Sequence, residues 1–313
     1  MLALVFPGQG SQTVGMGKAL FDAFAESRAV FEEVDEALGE KLSATIFDGS
    51  QDDLTLTRNA QPALMAVSLA AVKALESLGF EVTRAHYVAG HSLGEYSALA
   101  AARALSIGDA ARLLRLRGEA MQAAVPVGEG AMAAIIGPAI EAVEAICADA
   151  GCEIANDNGG GQVVVSGSKS SVERACELAR EAGAKRALML PVSAPFHSSH
   201  MQPAAEAMRE ALADAQIHAS LVPLICNVLA QPISHPNDIR KNLVEQVTGR
   251  VRWRETTDLM VEEGVNRVWE VGAGKVLSGL HRRADRDATV LALNGPDDVR
   301  RAWDEYREAH PDL

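Results

Sequence analysis

The chain has 313 residues, 48% hydrophobic and 23% charged. That is enough apolar material for a sizeable core, and the length suits about two domains or one large domain with an insertion; dominant disorder is excluded. Lys and Arg number 29 against 42 Asp and Glu, a formal net charge of -13, which argues against a nucleic-acid partner because nonspecific binding needs a broad basic footprint.

Leu2–Phe6 is an apolar run stopped by Pro7-Gly8. It lacks the positive flank of a signal peptide and reads as a buried first strand. No apolar run reaches the ~18 residues of a membrane span, so the expectation is no membrane partner and a cytoplasmic location. Pro62 at a first turn and Gly79 just past an end predict a helix over Pro62–Leu78. His86–Ala89 predicts a strand and the Ala-rich stretch from Glu95 a helix. Ser106 with Asp109 predicts a capped helix whose apolar period runs through Leu113, Leu116 and Met121.

The texture changes at Val125. Strand Ala131–Ile136, helix Pro138–Ala150, strands Cys152–Asn156 and Gln162–Ser166, helix Ser170–Ala182 and strand Lys185–Leu190 follow in the ferredoxin-like β-α-β-β-α-β order. The expected organisation is therefore α/β: a discontinuous, hydrolase-like domain with a mainly parallel sheet over 1–125 and 194–313, and a ferredoxin-like insert over 126–193. Beyond the insert, helices are expected near Met201–Ala215, Ile239–Val247 and Trp253–Glu263, and strands near Leu224–Asn227 and Arg267–Val271. Cys147, Cys152, Cys176 and Cys226 form no CxxC pair and read as free, buried thiols in a reducing compartment.

Gly90-His91-Ser92-Leu93-Gly94 is a G-x-S-x-G between a predicted strand and a predicted helix. Such an elbow projects a serine hydroxyl at a sheet edge, with helix N–H groups behind it to meet an oxyanion. A Gly/Ser turn that merely caps a helix is the plainer alternative. Serine needs a base. His91 adjoins Ser92 and should point elsewhere, whereas His197 lies in a loop after a strand, where a second catalytic residue should enter. His197 and His200 also have the spacing of half a metal site, but no third ligand joins them. The Gly8-Gln9-Gly10 turn fails as a dinucleotide fingerprint, with Thr13 at the third glycine position, and Gly272-Ala-Gly274-Lys275 fails as a P-loop. The backbone N–H of Gln9 is instead a candidate oxyanion donor beside that of Leu93. Arg112 and Arg115 read as a solvated helix face; Arg117 points about 200° away from Arg115, toward the apolar side, where a carboxylate is its natural partner.

Taken together, Val5-Phe-Pro-Gly-Gln-Gly-Ser-Gln12, Gln61-Pro62, Gly90-His-Ser-Leu-Gly-Glu-Tyr96, Arg117, Ala194-Pro-Phe-His-Ser198 and Glu270-Val-Gly-Ala-Gly-Lys275 resemble, in order, the malonyl-CoA:acyl-carrier-protein transacylase family. The resemblance runs from residue 5 to about residue 280 and suggests a free-standing enzyme. It implies transfer of malonyl from malonyl-CoA to acyl carrier protein, for fatty-acid or polyketide synthesis, with no cofactor and no metal, by a monomer. It implies Ser92 as nucleophile, His197 as base, and Gln9 and Leu93 as oxyanion donors. Arg117 would hold the malonyl carboxylate, and the Gln246 carbonyl would orient His197. His91, Asn156, Asn158 and Phe196 would line the substrate site, with Phe196 favouring an unbranched acyl group. Asp157 departs from the apolar residue frequent at that position.

A serine esterase shares the elbow but should show an acid behind the histidine, and a non-catalytic carrier-protein binder would not need both Ser92 and His197. Two further expectations follow. Acylation should rise with pH across about 5–8 as His197 titrates. An acidic carrier protein should need a local basic patch, with Lys185, Arg186, Lys275, Arg282, Arg283 and Arg286 as candidates.

Overall fold

The computed structural model describes residues 1–192 and 194–311. Ser193, where the expected insert boundary falls, lies outside the described residues, as do Asp312 and Leu313. Strand β1 (Leu2–Phe6) is followed by helices α1 (Lys18–Ala23), α2 (Ala25–Leu38), α3 (Leu42–Asp48), α4 (Gln51–Thr55) and the long α5 (Thr57–Ser77). Then come β2 (Tyr87–Gly90), α6 (Gly94–Ala101) and α7 (Ile107–Ala123). A second group follows: β3 (Gly130–Ile136), α8 (Ile140–Ala150), β4 (Glu153–Asp157), β5 (Gln162–Ser168), α9 (Lys169–Glu181) and β6 (Arg186–Met189). The chain returns through α10 (Gln202–Asp214), β7 (Leu224–Ile225), β8 (Pro232–Ile233), α11 (Pro236–Thr248), α12 (Trp253–Glu262), β9 (Arg267–Val271), α13 (Val276–Ala284), β10 (Thr289–Leu293) and α14 (Pro296–Ala309).

Two sheets result. The larger has the order β10-β9-β1-β2-β7-β8, parallel except for β8, which runs antiparallel to β7. The smaller has the order β4-β5-β3-β6 and is antiparallel throughout. Every residue of β1 is buried, as expected for a central parallel strand covered on both faces. The register aligns Phe6 with Gly90, and the His91 N–H donates to the Phe6 carbonyl at 3.0 Å. The loops leaving β1 and β2, which carry Gln9 and Ser92, therefore emerge side by side. The smaller sheet is tied to the larger unit at its β4 edge. Val251 N–H donates to the Ala155 carbonyl at 2.8 Å, and Asp157 N–H to the Val251 carbonyl at 2.9 Å.

Several expectations need correction. Helix α5 begins at Thr57, so Pro62 sits inside it rather than at its first turn. Pro62 removes one intrahelical N–H donor there, but the helix is buried along nearly its whole length, and packing holds it together. Leu116 is exposed rather than part of the buried face of α7, and Arg115 is half-buried, bonded to Asn59 and Glu40. The Ser106 cap is as expected, its hydroxyl accepting the Asp109 N–H at 3.0 Å. All four cysteines are free and buried. Among the described residues no helix is long and apolar enough to cross a membrane.

Candidate active site

The elbow is held in a shape that few residues adopt. Ser92 has φ 53°, a left-handed conformation costing a β-carbon-bearing residue about 1–3 kcal/mol. The flanking glycines admit close backbone approach. A Cβ on Gly94 would lie 2.3 Å from the Phe6 carbonyl oxygen, and one on Gly90 would lie 1.8 Å from the Gly94 carbonyl carbon. Asn227, after β7, spans the turn: its Oδ1 accepts the Ser92 N–H at 2.8 Å and its Nδ2 donates to the Gly90 carbonyl at 2.7 Å.

Ser92 Oγ lies 2.8 Å from His197 Nε2. His197 is buried, at φ 57°, and its Nδ1 lies 2.8 Å from the Gln246 carbonyl. A carbonyl can only accept, so Nδ1 carries the proton and Nε2 is left as the acceptor facing Ser92. Burial first, then the nearby Arg117 charge, pushes His197 down to about 3, against the pull of the Gln246 carbonyl. The imidazole is thus neutral across pH 5–8, and the rise in rate expected in that range moves to lower pH.

Arg117 does face inward and is 1% exposed. Its partners are amides rather than a carboxylate: it donates to Gln61 Oε1 at 2.7 Å and to Gln246 Oε1 at 2.9 Å. It also donates to Ser92 Oγ at 3.1 Å, and its Cζ lies 5.9 Å from the Tyr96 ring centroid. Arg117 Nε is buried with no hydrogen-bond partner among the described residues. The site thus holds a desolvated guanidinium with one donor unmet and the bonded ones met only by neutral groups, an arrangement that favours an incoming carboxylate.

Gln9, Leu93, Asn156, Phe196, Arg117 and the Ser92–His197 pair line one cavity of about 470 Å³. Leu93 immediately precedes α6, so its N–H sits at the positive end of that helix. His91 lines the same cavity, its Nε2 lying 2.8 Å from Asn158 Oδ1 and its ring 5.5 Å from that of Trp253. Burial lowers its pKa. Asn158 therefore supports His91. Asp157, the departure from the family pattern, is buried and accepts from Arg254 Nε at 2.8 Å, which fastens this loop to α12.

His200 is exposed, and among the described residues no group of three metal-ligating side chains occurs. The failed P-loop has a structural explanation: buried Glu270 accepts the Leu277 and Ser278 N–H groups at 3.1 and 2.7 Å and so caps α13. Gln61, Glu95 and Asn227 are in the site although no role was expected of them. Gln61 and Glu95 stand within family motifs, so the signal existed; Asn227 carries none.

A family model described as the acyl transferase domain matches residues 3–297. The chain is 45% identical over 312 residues to the malonyl CoA-acyl carrier protein transacylase of Bacillus subtilis (strain 168), covering 98% of each. It superposes with a TM-score of 0.96 on the acyl-carrier-protein-S-malonyltransferase from Bartonella henselae, at 56% identity, covering 97% of this chain and 98% of that one. A complex described as a type II PKS acyl-carrier protein with its malonyl-transacylase matches at TM-score 0.94 and 39% identity, covering 97% and 99%. With the motifs in order, the elbow built and the match running almost end to end, the chain belongs to the acyl transferase domain family.

Proposed function

We propose that the protein moves a malonyl group from malonyl-CoA to the phosphopantetheine thiol of acyl carrier protein, through a malonyl ester on Ser92, for fatty-acid or polyketide synthesis. One observation carries the reading: Ser92 Oγ is 2.8 Å from His197 Nε2 and 3.1 Å from the buried Arg117 in the same cavity. The names of the relatives support the choice of substrate and acceptor. Nucleophile and anion-holder lie close together, as malonyl requires, since its carboxylate is only two bonds from the reacting carbonyl carbon.

In the first half-reaction His197 Nε2 takes the Ser92 proton while Oγ bonds to the thioester carbon. The N–H groups of Gln9 and Leu93 hold the oxyanion, each lowering the barrier by about 2.7–4 kcal/mol. The C–S bond then breaks, and His197 returns its proton to the CoA sulfur. In the second, His197 takes the proton of the phosphopantetheine thiol, sulfur attacks the ester carbon, and Ser92 leaves and is reprotonated. Thioester is exchanged for thioester, so the balance calls for no cofactor. The Gln246 carbonyl fixes the His197 tautomer, which an acid residue would do in an esterase; its position at Nδ1 favours transfer over that alternative. Arg117 takes the malonyl carboxylate, Phe196 and Asn156 shape the acyl pocket, and His91, backed by Asn158, lines its wall.

The finer architecture goes with this reading. The larger unit, over 1–125 and 194–313, is taken as hydrolase-like because its elbow joins a central parallel strand to a helix. The insert over 126–193 is taken as ferredoxin-like because its element order and its β4-β5-β3-β6 sheet fit that pattern. The protein is taken to act as a cytoplasmic monomer, with every group of the cavity drawn from one chain. Intact-mass measurement after incubation with malonyl-CoA tests the reading. A malonyl adduct that passes to added acyl carrier protein is expected; rapid release of free malonate, or no adduct at all, overturns it.

A further inference from the structure

Glu95, in the first turn of α6, is wholly buried and takes part in no step derived above. Its two oxygens meet different donors: Oε1 accepts the backbone N–H of Asn227 at 2.9 Å, and Oε2 accepts from Gln246 Nε2. Neither donor can act as an acceptor there. A backbone N–H can only donate. A guanidinium has no acceptor, so Gln246 must turn its Oε1 to Arg117, at 2.9 Å, which leaves its NH₂ facing Glu95. The direction of every bond in the chain Arg117, Gln246, Glu95 is therefore set, and it ends on a group that has to accept.

Three parts of the site hang on that carboxylate. Asn227, held by Oε1, grips the elbow at Ser92 N–H and Gly90 carbonyl. Gln246, held by Oε2, also donates to the Ser92 carbonyl at 2.9 Å and presents its own carbonyl to His197. Arg117 makes one of its three hydrogen bonds to the Gln246 amide, beside those to Gln61 and Ser92. We infer that Glu95 is a positioning residue that determines acyl specificity, its carboxylate setting the Arg117 guanidinium, by way of the Gln246 amide, to receive the substrate carboxylate. The inference rests on the malonyl reading above.

Burial pushes the Glu95 carboxyl up to about 8, against the opposing pulls of the Asn227 N–H, Gln246 and Arg117. A proton on Glu95 would occupy an oxygen that faces a donor and so loosen the relay. The other groups facing this cluster titrate elsewhere. Arg117 on α7 stays charged, burial raises the Tyr96 hydroxyl on α6, Cys226 beyond β7 is raised to about 11, and His197 is lowered to about 3.

The test measures kcat/KM for acylation by malonyl-CoA and by acetyl-CoA. In folded Glu95→Gln an NH₂ faces a donor whichever way the amide turns. Both rates are expected to fall through the elbow, and malonyl by tenfold or more beyond acetyl. In an Arg117→Ala background the same change should leave the malonyl:acetyl ratio where it was. An equal loss for both acyl groups, or a further change of ratio without Arg117, overturns the inference. Should Glu95→Gln not fold, the wild-type ratio between about pH 6 and 9.5 decides. A rise through about pH 8 that Arg117→Ala abolishes is expected; a flat ratio, or a rise that persists without Arg117, overturns it. A wild-type enzyme that takes up no malonyl overturns the parent reading instead.

Discussion

His197 shows how burial sets a reactivity. A base held neutral by desolvation is ready at every physiological pH, so His197 itself is expected to impose no step on Ser92 acylation between pH 5 and 8, apart from the step near 8 expected of Glu95, and to limit the rate only as pH approaches about 3. Stopped-flow acylation against pH checks this; a sigmoid centred near the ordinary histidine value of about 6.5 would refute it. The same shift bears on stability. The folded pKa lies below the unfolded one, so the contribution is complete above about pH 6.5 and is lost as pH falls toward about 3. Denaturant titrations should therefore show wild type losing more stability than His197→Gln between pH 6.5 and 4. Chemically, His197→Ala should slow adduct formation by about 10²–10⁴, and Ser92→Ala should abolish it. Arg117→Ala should cost malonyl transfer roughly 2–5 kcal/mol while sparing acetyl, and Arg117→Lys should recover only part, since an ammonium lacks the planar fork. An unchanged malonyl:acetyl ratio in a folded alanine variant would remove Arg117 from the anion-binding role.

Among elements, the elbow is the most constrained. At Gly94 the obstacle is the Phe6 carbonyl oxygen at 2.3 Å, a backbone atom of the central strand that cannot swing aside. Gly94→Ala is expected to destabilise by at least ~1–3 kcal/mol and to suppress acylation, because β1 and the Gln9 loop must shift together. Urea melts and adduct formation check both; near-normal acylation would show that the loops are not registered by this contact. The elbow was legible in the sequence because its glycines, serine and strand–helix context are all local. So were Arg117 and His197, whose chemistry limits what each can do. Asn227 was not, since an amide gains its meaning from partners far away in the chain: it reaches back 135 positions to Ser92. The start of α5 was misread because Pro62 imitates a first turn, while the true N-cap, Leu56, offers no side-chain cap. The C-terminal α14 carries clear signals, Pro296 at its start with Asp297 and Asp298 in the first turn, but it positions none of the reacting groups.

At the scale of the whole molecule, a net charge of -13 opposes approach of an acidic carrier protein, so local basic residues must guide it. Lys185, Arg186 and Arg283 are exposed, and none of the six candidate basic residues lines the cavity itself, so any effect on docking should be separable from chemistry. Reversing their charge is expected to raise KM for carrier protein severalfold and leave KM for malonyl-CoA nearly unchanged, an effect that fades at high salt. Equal small changes in both would count against a docking patch. The junction between the two sheets has a different character. Where β4 meets Val251, the contacts are peptide N–H and carbonyl groups on both sides. Peptide groups are the same in every sequence, so these bonds depend on strand register alone, while side-chain pairs such as Asp157–Arg254 and Glu144–Arg250 add to the seam. The smaller unit can then diverge, or be exchanged for that of another family member, provided that the register and these side-chain pairs are kept. A chimaera that keeps the length from Glu153 to Asp157 would inherit the join intact, and with it the placement of Asn156 over the nucleophile's cavity.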